Sequence, residues 1–235
     1  MASSAGDACS AVWVLSIDAV MESVLTHPLY LAPVPLYVQL YAAKTLVVDD
    51  VSPFVKQTYR SRVAIAAESG AQQLTIPVVH DGGRVAMRDV RISEHGNWRH
   101  QHWNALVSAY RKSPFFEYYA DDFAHFYEER DGFLMDFNLR LHGVVSELLG
   151  LERGVKFLSD VAVDTGATFD ARNMAEPKIL ASIHGAGELP YYQVFAQRNG
   201  FIPSLSIVDL LFNTGPEGLL VLRDSTLALA SCGRG

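Results

Sequence analysis

"PLYLAPVPLYVQLYAA", Pro28 to Ala43, runs almost directly into "TLVVDD", Thr45 to Asp50, and the pair decides how the fold is read. Pro28, Pro33 and Pro35 forbid a regular element until the last of them, because each ring fixes φ and removes a backbone donor. A helix can begin there, since proline is tolerated in a first turn. The apolar run from Thr45 is then a short buried strand, stopped by its acidic pair and by Pro53. Upstream, "AVWVLSI" (Ala11 to Ile17) is a second candidate for a buried strand. Helix and strand therefore belong to one unit from the start.

Residues 55–67 alternate in polarity and carry β-branched and aromatic side chains, which predicts a strand. "ESGAQ" turns it, and "QLTIPVV" returns as the second arm of a hairpin. "MRDVRIS" is expected to add one more strand. From Asn97 the period changes. Asn97 is a reasonable N-cap, and Trp98, His102, Leu106 and Ala109 fall on one helical face. "PFFEYYADDFAHFYEER" and "GFLMDFNLRLHGVVSELLGL" continue as helices, with Gly132 between them and Gly150 near the end. "VKFLSDVAV" returns to strand character, "TGATFDARNM" is expected to be loop, and a helix runs from Ser206 until Asn213 to Gly215 close it. Strand-rich, then helical, then mixed, the order predicts an α+β fold, or a mixed α/β one. It is read as a single domain over 1–235, with 1–22 and 225–235 peripheral.

With 235 residues, 49% of them hydrophobic, the chain can bury a sizeable core. A net charge of -7 excludes a general nucleic-acid binder, which would carry a basic face. Cys9 and Cys232 alone make no disulfide framework, so a cytoplasmic setting is expected. The N-terminal run has no basic residue ahead of it and contains Asp18, and no apolar stretch is long enough for a membrane span.

On such a body the cations of "VKQTYRSRV" (Val55 to Val63) stand out. In a strand, Lys56, Thr58, Arg60 and Arg62 share one face, with neighbours roughly 6–7 Å apart. Three cations in that row need anions. The chain can supply them from Asp49, Asp50, Asp81 or Asp89; so can a ligand, as phosphate or carboxylate, which the arginine fork matches. The alternative is a solvated face that blunts a sheet edge. His102, on the apolar face of its helix, is either a satisfied core residue or a general acid–base. His100 and His102 diverge, no H-E-x-x-H is present, and neither a metal nor a cofactor is expected. Dinucleotide, P-loop and esterase motifs are absent.

Taken in order, "YLAPVPLYVQLY", "FVKQTYRSRVAI", "LTIPVV", "DVRISEHGNWRHQHWNALVSAYRKSPFFEYY" and "PYYQVFAQRNGFIPSLSIVDLLFNTGPEGLL" resemble the WbqC-like protein family over about residues 29–220. The matching positions include Tyr30, Tyr37, Lys56, Arg60, Arg62, Asp89, Trp98, His102, Gln193, Ser206 and Asp209. The resemblance implies a place in surface-polysaccharide (O-antigen) biosynthesis and transfer of an amino acid, especially glycine. It also has departures. "DAVMESV" and "THP" stand where a strand leads directly into the Tyr30 element, "LAP" replaces a proline pair, and the polar run before "FVKQTY" is missing. No role is therefore carried over to His27 or to Asp49 and Asp50.

These readings combine into a transferase acting on an activated anionic small molecule, such as a nucleotide-linked sugar. Lys56, Arg60 and Arg62 bind its charge, Tyr30 and Tyr37 line the pocket, His102 is the acid–base and Asp89 orients it. The alternatives are a non-catalytic ligand-binding or scaffold protein of a polysaccharide assembly, and an aminoacyl-tRNA-using transferase.

Overall fold

A computed structural model describes residues 21–79, 82–182 and 188–232; the strand expected at Ala11–Ile17, and Asp81, lie outside them. The fold is α+β. Strand β1 (Met21–Thr26) leads through the proline-rich segment into helix α1 (Val34–Ala42), with Pro35 in its first turn, and then into β2 (Ala43–Val48). The two strands are parallel, with Val24 opposite Leu46. Parallel pairing explains the unbroken apolar run of Leu46 to Val48, because both faces of such a sheet are covered. It also corrects the sequence reading: "MESVLT" is itself the strand that leads into the Tyr30 element.

Next come the hairpin β3 (Arg62–Ala67) and β4 (Gly70–Thr75), antiparallel with Val63 opposite Leu74. Helices α2 (Trp98–Tyr110), α3 (Phe116–Glu128) and α4 (Leu134–Leu148) follow at the expected places. Strand β5 (Gly154–Phe157) pairs with the free edge of β2, and β6 (Thr168–Asp170) with the other edge of β1. The four-stranded sheet thus runs β5-β2-β1-β6, all parallel. Short helices α5 (Pro177–Ser182) and α6 (Ala196–Asn199) precede α7 (Ile207–Thr214) and α8 (Gly218–Cys232), which lies along α1.

Three expectations need correction. Residues 55–61 are turns, not strand, and β3 starts only at Arg62. "MRDVRIS" forms a single 3-10 turn at Met87–Asp89 and isolated bridges at Arg91 and Ile92. The expected loop "TGATFDARNM" contains β6.

Phe212 of α7 sits fully buried at the centre of an aromatic cluster, its ring 5.2–5.3 Å from those of Tyr110, Phe116 and Phe123. Ser206 caps α7 by accepting from the Val208 N–H, and its hydroxyl donates to the Leu31 carbonyl. Gly215 closes that helix at φ 57°, where a Cβ would come within 2.5 Å of the Phe115 ring; only glycine fits. Among the described residues no helix is long and apolar enough to cross a membrane.

Candidate functional site

In open sheets of parallel strands, ligands bind outside the carboxyl ends of the strands. Here three strands end on charged or polar side chains. His27 follows β1, Asp49 and Asp50 follow β2, and Asp170 with Arg172 closes β6. Asp49 is fully buried. Its carboxylate accepts from the Ser52 N–H at 2.8 Å, the Ser52 hydroxyl at 2.6 Å and Arg172 Nη1 at 3.1 Å. Burial alone would raise its pKa, but these hydrogen bonds outweigh that and hold the group below the usual carboxylate range. Arg172 is forked, its other donors reaching Asp170 at 2.6–3.2 Å. Asp50 accepts from the Ser159 N–H at 3.1 Å and lies 3.7 Å from Arg88.

His27 Nδ1 stands 3.8 Å from the Asp49 carboxylate. Burial, reinforced by the positive charge of Arg60, pushes its pKa down to about 4 against the pull of Asp49. The ring is neutral at pH 7.

Arg60 completes the group from a different direction. The segment before it cannot continue as a strand, since Gln57 adopts φ 64° and the N–H groups of Ser61 and Arg62 both turn back to the Thr58 carbonyl. Tertiary partners replace the ladder: the Tyr30 N–H donates to the Tyr59 carbonyl, and the Tyr59 N–H to Ala175. Asn138 of α4 donates to the Pro28 carbonyl at 3.0 Å and to that of Arg60 at 2.8 Å, tying the β1 exit to the turn. Arg60 itself is only 5% exposed. Among the described residues its side chain makes one hydrogen bond, to Thr58 Oγ1 at 3.3 Å, and its Nε has no partner. Among the described residues no carboxylate comes within the 4.0 Å of an ion pair, although Asp49 and Glu176 lie near enough to be felt.

The structure distributes the other expected residues. Lys56 is exposed and borders a hollow of about 160 Å³ with Phe54, Val79, Val85 and Val90, while Arg62 opens β3 opposite Thr75. Asp89 is exposed on its 3-10 turn beside Arg88, and no hydrogen bond or ion pair joins it to His102 among the described residues. Tyr37 is buried, its hydroxyl 2.9 Å from His142 Nδ1. Tyr30 and His102 do meet, but inside the core: the Tyr30 hydroxyl lies 3.0 Å from His102 Nδ1 and 2.9 Å from the Tyr127 hydroxyl. The His102 ring also donates to the Thr75 carbonyl, so both of its hydrogen-bonding needs are met. Burial pushes its pKa down to about 4.

A pH dependence follows. In the unfolded chain a histidine takes up its proton near pH 6.5. Stability from a neutral buried His102 is therefore full above that pH and is lost as pH falls toward about 4. Asp209 and Glu188, pushed up by burial to about 6 and about 7, act with the opposite sign, so a difference between proteins is the useful quantity. We expect the fall in urea midpoint between pH 7 and pH 4.5 to be smaller in His102→Gln than in the wild type. Equal falls would show that His102 charges freely.

His27, Asp49 and Arg172 were absent from the sequence-derived site. His27 and Asp49 follow directly on strand ends, in "THP" and "VVDD", and Arg172 comes two residues after one, in "FDAR"; the pairing of β1 with β2 brings the first two together and that of β6 with β1 adds the third. A family model described as "WbqC-like protein family" matches residues 28–184, well over half of the sequence. The chain belongs to the WbqC-like protein family. The WbqC-like match contains Asp49, Arg60, Asn138 and Arg172, and His27 immediately precedes it. A Mycobacterium tuberculosis (strain ATCC 25618 / H37Rv) protein described as "Uncharacterized protein Rv1507c" is 26% identical over 201 residues, covering 76% of this WbqC-like chain and 87% of its own. No solved structure matches.

Proposed function

We propose that this WbqC-like protein is a transferase of surface-polysaccharide (O-antigen) biosynthesis, binding an activated anionic donor, a nucleotide-linked sugar or an aminoacyl group, at the carboxyl edge of its sheet. One observation carries the reading: Arg60 is a buried guanidinium with no carboxylate in ion-pair contact among the described residues. A desolvated cation costs stability unless an anion meets it, so the missing partner is the ligand's phosphate or carboxylate. This is the anion-binding role expected of the cationic run, carried by one of its three members. Arg172, 37% exposed and already aligned by Asp49 and Asp170, guards the approach.

His27 supplies the base. The ring is neutral at pH 7 and its Nδ1 lies on the Asp49 side, so Nε2 is assigned as the nitrogen that meets the acceptor. As the acceptor's hydroxyl or amine attacks the activated carbon, its proton passes to Nε2. The bond from that carbon to the phosphate oxygen breaks, and Arg60 neutralises the charge that develops on the leaving group. His102 and Tyr30, joined to each other in the core, are given no proton-transfer role in this reading.

Melting in the presence of UDP-sugars, dTDP-sugars and aminoacyl adenylate analogues tests the reading. A ligand at a hundred times its Kd adds roughly 2.7 kcal/mol, several degrees for a chain of this length. The proposal is abandoned if no such donor shifts the wild type while an unrelated anion does. The restricted access to His27 and Arg60, each 5% exposed, favours a second reading, a binding module without turnover. Release of the free nucleotide from a bound donor distinguishes the two.

A further inference from the structure

Behind His27, between α1 and α4, lies a cavity of about 20 Å³. Leu36, Leu46 and Leu139 form much of its wall, and Thr26, His27, Asn138 and His142 its polar part. The His142 nitrogens are engaged by the Tyr37 hydroxyl at 2.9 Å and Ser146 at 3.4 Å. The other three residues each contribute a buried atom without a hydrogen-bond partner among the described residues: Thr26 Oγ1, His27 Nδ1 and Asn138 Oδ1. Such atoms are rare in folded proteins, and three on one small cavity point to a common partner. Size decides what that partner is. A water needs about 10–15 Å³ and two to four polar contacts. The space admits one water and excludes a sugar ring or an aminoacyl group.

We infer that this cavity binds a single ordered water, held by Thr26, His27 and Asn138, and that it fixes the tautomer of His27. The donor and acceptor count closes. Asn138 Nδ2 already donates to two carbonyls, so Oδ1 can only accept, and the water donates to it. The water then accepts from Nδ1–H of His27 and exchanges a hydrogen bond with the Thr26 hydroxyl. The Asp49 carboxylate does not do this work: at 3.8 Å it is beyond hydrogen-bond range of Nδ1, and its oxygens are occupied by Ser52 and Arg172. The Asp49 backbone carbonyl also draws a ring N–H toward it, yet Nδ1 keeps no hydrogen-bond partner among the described residues. Thr26 and Asn138 are thus positioning residues for His27: with the proton held on Nδ1, Nε2 presents its lone pair to the ligand. The catalytic meaning rests on the base role proposed above; the tautomer and the water do not.

Nitrogen NMR of ring-labelled histidine in the intact chain tests this without substrate. The wild type should show His27 as one tautomer, protonated on Nδ1. Thr26→Val keeps the shape and removes the hydroxyl, and should turn that single form into a mixture of both; Thr26→Ser should restore it. A high-resolution crystal structure of the wild type should show one water within hydrogen-bond distance of all three atoms, a readout that stands even if Thr26→Val does not fold. A wild-type ring protonated on Nε2, an unaltered spectrum in folded Thr26→Val, or no ordered density between the three atoms overturns the inference. Failure of every donor in the melting panel would leave it intact.

Discussion

Arg60→Met should leave the protein at least as stable as the wild type while removing its response to anionic donors. Most substitutions of a 5%-exposed side chain are destabilising. Here the balance differs, because the guanidinium has given up its water for one long hydrogen bond to Thr58 and the more distant fields of Asp49 and Glu176. Burial accordingly pulls its pKa below the ordinary arginine value. Methionine keeps the apolar stem and part of the volume. Exchanges of buried ionic groups for apolar residues of similar size range from neutral to about 1–4 kcal/mol stabilising. Urea midpoints give the stability change, and melting with and without donor gives the binding. A variant that loses more than about 2 kcal/mol yet still responds to donor would show Arg60 to be a structural strut.

Asp49→Ala should have the opposite signature, a loss of about 3–5 kcal/mol, the usual cost of removing one partner from a buried ionic cluster. For a chain of this length that is a fall in Tm of roughly 10–15 °C. Asp49 is fully buried and holds the Ser52 turn and Arg172 together. Without it Arg172 keeps only Asp170, and the repulsion between Arg172 and Arg60 is no longer offset. Asp49→Asn keeps the shape and should lose less. Since the folded pKa is depressed, Asp49 contributes fully above the ordinary carboxylate pKa and progressively less as pH falls through it. Wild type and Asp49→Asn should therefore converge in stability on acidification. A loss below about 1 kcal/mol in Asp49→Ala would sink the idea that this carboxylate organises the site.

Where local pattern governed structure, the sequence was legible. Thr45 to Val48 could be read as a buried strand because a parallel sheet demands an unbroken apolar run, and α2 because Trp98, His102, Leu106 and Ala109 all face the core. Pattern misled at residues 55–61. Alternating polarity there reflects a turn whose backbone is satisfied by Tyr30 and Ala175, and nothing in "KQTYRS" announces a left-handed Gln57. Strand β6 has three residues and too little apolar length to be visible before β1 is placed beside it. The candidate site was hidden for the same reason. Arg60 was singled out because it stands among other cations; His27 and Asp49 become neighbours only when β1 pairs with β2, and Arg172 joins them through a pairing more than a hundred residues away.

The late arrival of β6 bears on how the protein is made. Ser23 waits for Thr168 as its neighbour, so while the ribosome extends the chain one flank of the central strand has nothing to bond with. At about 5–20 residues per second that interval lasts many seconds. A nascent chain stalled before Thr168 would carry the hairpin and three long helices, but no finished sheet and no clasp between Asp49 and Arg172. On the function proposed above, competence to bind arises as a late event of biosynthesis, and an incomplete translation product should not sequester a donor.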